Sequence, residues 1–140
     1  MAKELGKPVV IHCRDAFDDT MMILESAGFA GYPLLWHCFG GDLAMAKRIL
    51  HNGWHISLPG PITYKANAAV REAVPHIPAD RLILETDAPY LSAVPWRGTR
   101  NEPAFTVFTA ECAAQLRNES REELWLRSGD NARRFFGIDS

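Results

Sequence analysis

The chain has 140 residues, of which 47% are hydrophobic, and its formal net charge at pH 7 is −2. This length and composition predict a single globular domain over residues 1–140 and exclude a disordered chain. The small net charge excludes a generally basic surface, so any phosphate contact has to come from a local basic patch or from a metal ion.

The sequence contains no signal for a membrane or an oxidising compartment. No apolar run approaches the length of a membrane-spanning helix, and the charged residues Lys3, Glu4 and Lys7 interrupt any signal-peptide core at the N-terminus. The three cysteines are odd in number and contain no CxxC pair. We therefore expect free thiols, a cytoplasmic location and no membrane association.

Four short apolar runs alternate with helical patterns along the first part of the chain. The predicted strands cover residues 9–11, 32–36, 54–58 and 82–85. The first two helices between them are predicted to start at the capping residues Asp15 and Asp42 and to end at Gly28 and Gly53, and the third covers about 66–74. This alternation predicts an α/β fold with a parallel sheet and outer helices.

The rest of the chain is predicted to form a long loop followed by two helices. The loop runs from residue 88 to about 103 and is rich in proline, glycine and arginine. The last helical region begins with a capping-box pattern at Ser120, and Asn131 is predicted to cap a final turn.

Residues of metal-binding types stand at the ends of three predicted strands. His12 follows the first strand, His37 the second and Asp87 the fourth, and the gap from His37 to Asp87 is twice that from His12 to His37. The ligand site of a parallel α/β protein lies at the carboxyl ends of its strands. Because side chains alternate between the faces of a strand, these three can converge on one point, and Glu85 shares a face with Asp87.

Two imidazoles and one carboxylate form a ligand set that suits Zn²⁺, Mn²⁺ or Fe²⁺. Asp87 is predicted to serve both as a ligand and as the catalytic base that takes a proton from the attacking water. Glu85 is predicted to orient a metal ligand through a hydrogen bond, the alternative being a buried structural carboxylate. Taken singly, each histidine and Asp87 also have a structural alternative, as a satisfied core residue or a turn residue.

Two arginines, Arg97 and Arg100, lie in the loop that follows Asp87. Their guanidinium groups at the Asp87 end of the sheet would hold a phosphodiester through charge-assisted, bidentate contacts. The alternative is a solvated loop with surface ion pairs.

Five segments of the sequence together resemble the TatD family of metal-dependent deoxyribonucleases, which are amidohydrolase-like (β/α)₈ barrels. They are VIHCRDA at 10–16, WHCFGG at 36–41, LETDAPYL at 84–91, RNEP at 100–103 and NARRFF at 131–136. The resemblance implies that His12, His37 and Asp87 bind one or two divalent ions, Mg²⁺, Mn²⁺ or Zn²⁺. It also implies hydrolysis of phosphodiester bonds in DNA, at single strands or ends, with Arg100 and Asn101 as substrate-binding residues.

The resemblance covers the second half of the family's barrel, a parallel (βα)₄ unit with extra C-terminal helices. The family's first-strand His-x-His or His-x-Asp motif and its fourth-strand glutamate have no counterpart here. An open sheet of this kind exposes two unpaired edges, which predicts a homodimer or a complementary N-terminal half. The alternatives are a non-catalytic half barrel and a different amidohydrolase-type enzyme acting on an amide or lactone.

Overall fold

The computed structural model describes residues 1–138 and contains one parallel sheet in the order β1-β2-β3-β4. The strands are β1 (Val9–His12), β2 (Leu34–His37), β3 (His55–Leu58) and β4 (Leu82–Leu84). The helices are α1 (Phe17–Ser26), α2 (Leu43–His51), α3 (Ala68–Ala73), α4 (Thr106–Arg117) and α5 (Arg121–Phe136). The predicted α/β fold, with four βα steps and additional C-terminal helices, is confirmed. Within these residues no helix combines the length and the hydropathy needed to cross a bilayer.

The register of the strands decides which side chains share a face of the sheet. His12 pairs with His37 and Val10 with Leu35 across β1 and β2, and Ser57 pairs with Ile83 across β3 and β4. Because side chains alternate along a strand, these residues lie on one face, which we call the inner face. The opposite face packs against the helices.

The main core lies between the outer face of the sheet and the helices. Trp36, Ile56 and Leu58 from the strands are almost completely buried there. They pack in one cluster with helix residues spaced for an amphipathic face, namely Met21, Leu24, Ala46, Ile49, Val70, Ala73, Ala110, Ala113 and Leu124. Each fully buried leucine, isoleucine, valine or methionine side chain in this cluster contributes roughly 1.5–3 kcal/mol to the free energy of unfolding.

Several predicted ends are correct and others are displaced for identifiable reasons. The Asp42 carboxylate accepts a hydrogen bond from the Met45 amide, and Ser120 caps α5 as predicted. Asp15 does not cap α1, because its backbone is left-handed with φ of 57° and Ala16 takes the N-cap position instead. The second strand begins after residue 32, because the Tyr32 amide donates to Phe29 O in a turn.

Asn131 was expected at a helix start and instead lies inside α5. Its side-chain amide is buried and donates to Ala79 O and Leu82 O, both at 2.8 Å. Ser128, one turn earlier, accepts a 2.7 Å hydrogen bond from the Leu84 amide. The prediction of a terminal cap is wrong because the amide binds the neighbouring strand instead of its own helix.

These contacts cap one edge of the sheet. The Glu85 amide donates to Leu58 O of β3. Because the backbone groups of successive residues face opposite sides of a strand, the N–H and C=O groups of Leu82 and Leu84 face the edge away from β3. The Ser128 and Asn131 side chains satisfy Leu84 N and Leu82 O at this edge, although among residues 1–138 β4 has no strand partner there. At the opposite edge of the sheet, Val10 of the edge strand β1 is 47% exposed.

Candidate metal centre

The three strand-end residues singled out in the sequence lie at the same end of the sheet. His12 and His37 are the last residues of β1 and β2, and Asp87 lies just beyond the end of β4. The parallel direction of all the strands places these three positions on the carboxyl edge.

The structure brings together His37, Glu85 and Asp87. His37 Nε2 lies 3.0 Å from Glu85 Oε2 and 3.4 Å from Asp87 Oδ1. One nitrogen or oxygen atom from each residue lies within 4.8 Å of the other two, close enough for all three to contact one cation. Glu85, expected to orient a ligand, can therefore orient His37 or bind the ion itself.

The imidazole of His12 is a neighbour of this triad. Its ring centroid lies 6.0 Å from that of His37, and the residue is exposed. Two imidazoles that share a zinc ion have ring centres roughly 5 Å apart, given Zn–N distances of about 2.0–2.1 Å. A small rotation of the exposed His12 ring therefore brings it within reach of the same ion, and its ligand role stays a prediction.

The electrostatics of the triad favour a cation. Burial and the adjacent Asp87 carboxylate raise the pKa of Glu85, whereas His37 opposes that rise. Burial, a hydrogen bond to Asp87 and the two carboxylates raise the pKa of the Cys38 thiol. Glu85 Oε1 is buried without a hydrogen-bond partner among residues 1–138. A divalent ion would satisfy this oxygen and offset the concentrated negative charge, so the residues present fit a metal.

Strained backbone surrounds the triad. Cys38 has a positive φ of 50°, and its amide donates a 3.0 Å hydrogen bond to Ser57 Oγ. Asp15 and Leu91 are also left-handed, so three of the four non-glycine residues with positive φ among residues 1–138 lie at this edge. Such strain is concentrated at functional sites, where surrounding contacts hold it in place.

An open cleft of about 860 Å³ lies at the carboxyl edge, and Asp87 is the member of the triad that lines it. Its lining includes His12 and Asp87. It also includes Arg14 and Tyr90, which the sequence pattern did not identify as site residues. In the sequence, both follow a predicted strand-end ligand closely: Arg14 is two positions after His12, and Tyr90 is three positions after Asp87. Their types alone did not separate them from ordinary loop residues.

The two predicted substrate-binding residues lie apart from this lining. Asn101 is 5% exposed, and its side-chain amide donates to Thr86 Oγ1 at 2.9 Å and to Tyr90 O at 2.6 Å. Arg100 is exposed but is not a cleft residue, and the Arg97 guanidinium lies 4.4 Å above the Tyr64 ring. Asn101 therefore organises the loop in this structure, and the substrate roles of Arg100 and Asn101 stay predictions.

A sequence profile of the family described as TatD related DNase matches residues 1–137. The chain belongs to the TatD family. The resemblance seen in the sequence motifs is thereby confirmed, and the triad described above lies in two of the motif segments that carried it, WHCFGG and LETDAPYL.

Relatives in the TatD family support this assignment over the full length of the chain. The uncharacterized metal-dependent hydrolase YabD of Bacillus subtilis is 38% identical, over 99% of this chain and 54% of its own length. A protein of Erwinia amylovora named 3'-5' ssDNA/RNA exonuclease TatD is also 38% identical, over 99% of this chain and 55% of its own.

The same relationship holds in three dimensions. The crystal structure of YJJV, a TatD homolog from Escherichia coli K12, superposes with a TM-score of 0.89 at 28% identity. The superposed region covers 99% of this chain but only 53% of the YJJV chain. The chain thus spans about half the length of the TatD relatives that it matches.

Proposed function

We propose that this chain forms part of a metal-dependent hydrolase that cleaves phosphodiester bonds in DNA. The observation that supports this most is the convergence of His37, Glu85 and Asp87 at the carboxyl edge of a TatD-family sheet. The relative named as an ssDNA/RNA exonuclease supports the choice of a nucleic-acid substrate.

His37 and Asp87, with Glu85 beside them and His12 in reach, would hold the divalent ion. When bound, such an ion supplies Lewis acidity, which polarises a phosphoryl oxygen and makes a water molecule easier to deprotonate. The donor set is compatible with Zn²⁺ and Mn²⁺, and with Mg²⁺ where the carboxylates predominate.

The chain's own residues would bind and orient the substrate and move a proton. The Asp87 carboxylate would accept the proton of the attacking water as the water oxygen bonds to phosphorus and the ester oxygen leaves. Glu85 Oε2, 3.0 Å from His37 Nε2, would bind the ion beside that nitrogen, or would orient the His37 ring if the ion is bound by Nδ1 instead. The Arg14 guanidinium in the same cleft would lie near the negative phosphodiester.

The test is hydrolysis of an end-labelled single-stranded oligonucleotide with Mg²⁺, Mn²⁺ or Zn²⁺. Cleavage that is lost in EDTA and in Asp87→Asn, but kept in Glu72→Gln, would support the proposal. Glu72 is a suitable control because it is an exposed carboxylate on α3, outside the cleft. Cleavage of an amide or lactone, with none of DNA, would assign a different amidohydrolase-type reaction. Undiminished cleavage in EDTA would contradict any metal-dependent reaction.

We also propose that β1 pairs with a complementary chain segment. Val10 on β1 is 47% exposed, whereas the outer edge of β4 is hydrogen-bonded by Ser128 and Asn131. Closing a barrel, whether with a second copy or with a complementary half, would need β4 to gain a strand partner and would displace these contacts. Pairing at β1 alone would leave them in place, so the β1 edge is where we expect a complementary segment to add first, with a second copy of the chain as the alternative.

Light scattering at micromolar concentration, with and without a polypeptide that supplies the family's first four βα units, tests this pairing. A one-to-one complex with the added polypeptide is expected. A stable dimer of the chain alone would favour the homodimer. A monomer that does not bind the added polypeptide would contradict both the complementary segment and the homodimer.

We further propose that the protein acts in the cytoplasm. The support is its composition, since three cysteines without a CxxC pair suit a reducing compartment.

A further inference from the structure

We infer that Tyr90 is a stacking platform for an unpaired base and that Arg14 contacts a phosphate of the same strand, an inference that rests on the proposed function. Recognition of a single-stranded nucleotide unit is thereby assigned to two residues that line the cleft with Asp87. Tyr90 is exposed on a rigid backbone, and Arg14 carries a positive charge without a protein partner.

Tyr90 is unusually accessible for a large aromatic residue. It is 73% exposed, against 45% for Trp96 and 46% for Trp125. Tyr90 nevertheless lines the same cleft as Asp87, three residues away in the chain. An aromatic ring of this kind provides a π-face to any base, and base stacking on it is worth roughly 1–3 kcal/mol.

The backbone that carries this ring is fixed from several sides. The Tyr90 amide donates to Asp87 O at 2.8 Å, and its carbonyl accepts the 2.6 Å hydrogen bond from Asn101 Nδ2. A Cβ atom at Gly60 would lie 2.5 Å from Leu91 O. The glycine therefore lets the segment that follows β3 pack closely against the loop that carries Tyr90. Binding therefore costs little loop ordering, and the ring stays at a set position relative to Asp87.

Arg14 provides the second contact. It follows His12 at the β1 end of the same cleft and makes no hydrogen bond or ion pair with any other residue in 1–138. By contrast, Arg48 pairs with Asp18, and Arg117 with Glu119. A guanidinium without a protein partner, the one arginine among the residues that line the cleft, is available to a phosphate.

Together the two contacts select for unpaired nucleotides. A base inside a duplex is already stacked and paired, so placing it on Tyr90 would require unstacking that costs a few kcal/mol. A single-stranded end incurs a smaller cost. The geometry thus predicts a preference for single strands. This preference requires a base, of any kind, at Tyr90, with the sugar-phosphate backbone directed toward the triad.

The test is equilibrium binding of a fluorescent single-stranded oligonucleotide, measured by anisotropy in EDTA so that cleavage does not interfere. Tyr90→Ala is expected to weaken binding about tenfold, with Tyr90→Phe and Tyr90→Trp restoring it. An oligonucleotide that carries abasic positions should bind the unmodified chain about tenfold more weakly, and Tyr90→Ala should remove that difference. Trp125→Ala, an exposed aromatic on α5 outside the cleft, is the matched control.

Arg14→Gln should weaken binding of both oligonucleotides equally and reduce the salt dependence of the affinity by about one phosphate contact. If Tyr90→Ala binds both oligonucleotides like the unmodified chain, while that chain still cleaves DNA, the inference is overturned and the proposed function stands. If the unmodified chain neither binds nor cleaves DNA even when the polypeptide that supplies the family's first four βα units is added, both are overturned.

Discussion

His37 Nε2 and Glu85 Oε2 lie 3.0 Å apart, and Asp87 Oδ1 lies 3.4 Å from the same nitrogen. One imidazole nitrogen thus faces two carboxylates, of which Glu85 is the closer. Removing the charge of Glu85 should therefore affect both the orientation of His37 and the attraction of the site for a cation.

Glu85→Gln is expected to lower the affinity for Zn²⁺ or Mn²⁺ by about tenfold or more, because partners that orient metal ligands contribute that much. Isothermal titration calorimetry or competition with a chromophoric chelator measures the change. Glu72→Gln removes one charge from an exposed position on α3 and should leave the affinity unchanged. Equal affinities in Glu85→Gln and the unmodified chain would show that Glu85 has only a structural role.

His12 and His37 should differ in their contributions to metal affinity. His37 is a member of the triad, whereas His12 is exposed and 6.0 Å away between ring centroids. We expect His37→Ala to reduce affinity more than tenfold and His12→Ala to reduce it severalfold, because His12→Ala leaves the triad intact whereas His37→Ala leaves only two of its members. The same titration tests this, with His51→Ala on α2 as the control. An unchanged affinity in His12→Ala would remove it from the ligand set.

The sequence predicts the fold and the location of the site because both follow from local pattern. Short apolar runs between amphipathic stretches specify parallel strands, and the parallel direction puts His12, His37 and Asp87 on one edge. The role of Glu85 as the closest partner of His37 depends on side-chain rotamers across two strands, which spacing does not specify.

Tertiary contacts decide the features that the sequence does not predict. Asn131 is a good capping residue by type, but its amide donates to Leu82 O at the edge of β4 and to Ala79 O just before that strand. Asn101 likewise turns inward to Tyr90 O instead of toward a substrate. In both cases a buried backbone acceptor outweighs the local preference of the side chain.

Asn131→Ala should destabilise the fold by about 2 kcal/mol, because it leaves Ala79 O and Leu82 O without their buried donor. Urea unfolding followed by far-UV circular dichroism measures the loss. Gln115→Ala, an exposed position on α4, should change stability by less than about 0.5 kcal/mol. A similarly small effect of Asn131→Ala would mean that α5 does not depend on this contact.

Glu119 should make the stability of the protein sensitive to acid. Burial alone would raise the pKa of Glu119, but hydrogen bonds from Arg117 and Arg127, with their positive charges, outweigh burial and lower it. Because the folded pKa lies below the unfolded value of about 4.3, the stabilisation is fully present above that pH and is lost as pH falls through the folded pKa. Unfolding midpoints between pH 7 and pH 3 should therefore fall less steeply in Glu119→Gln than in the unmodified chain. Glu111→Gln, an exposed change on α4, controls for the loss of one charge, and equal slopes in all three proteins would contradict the prediction.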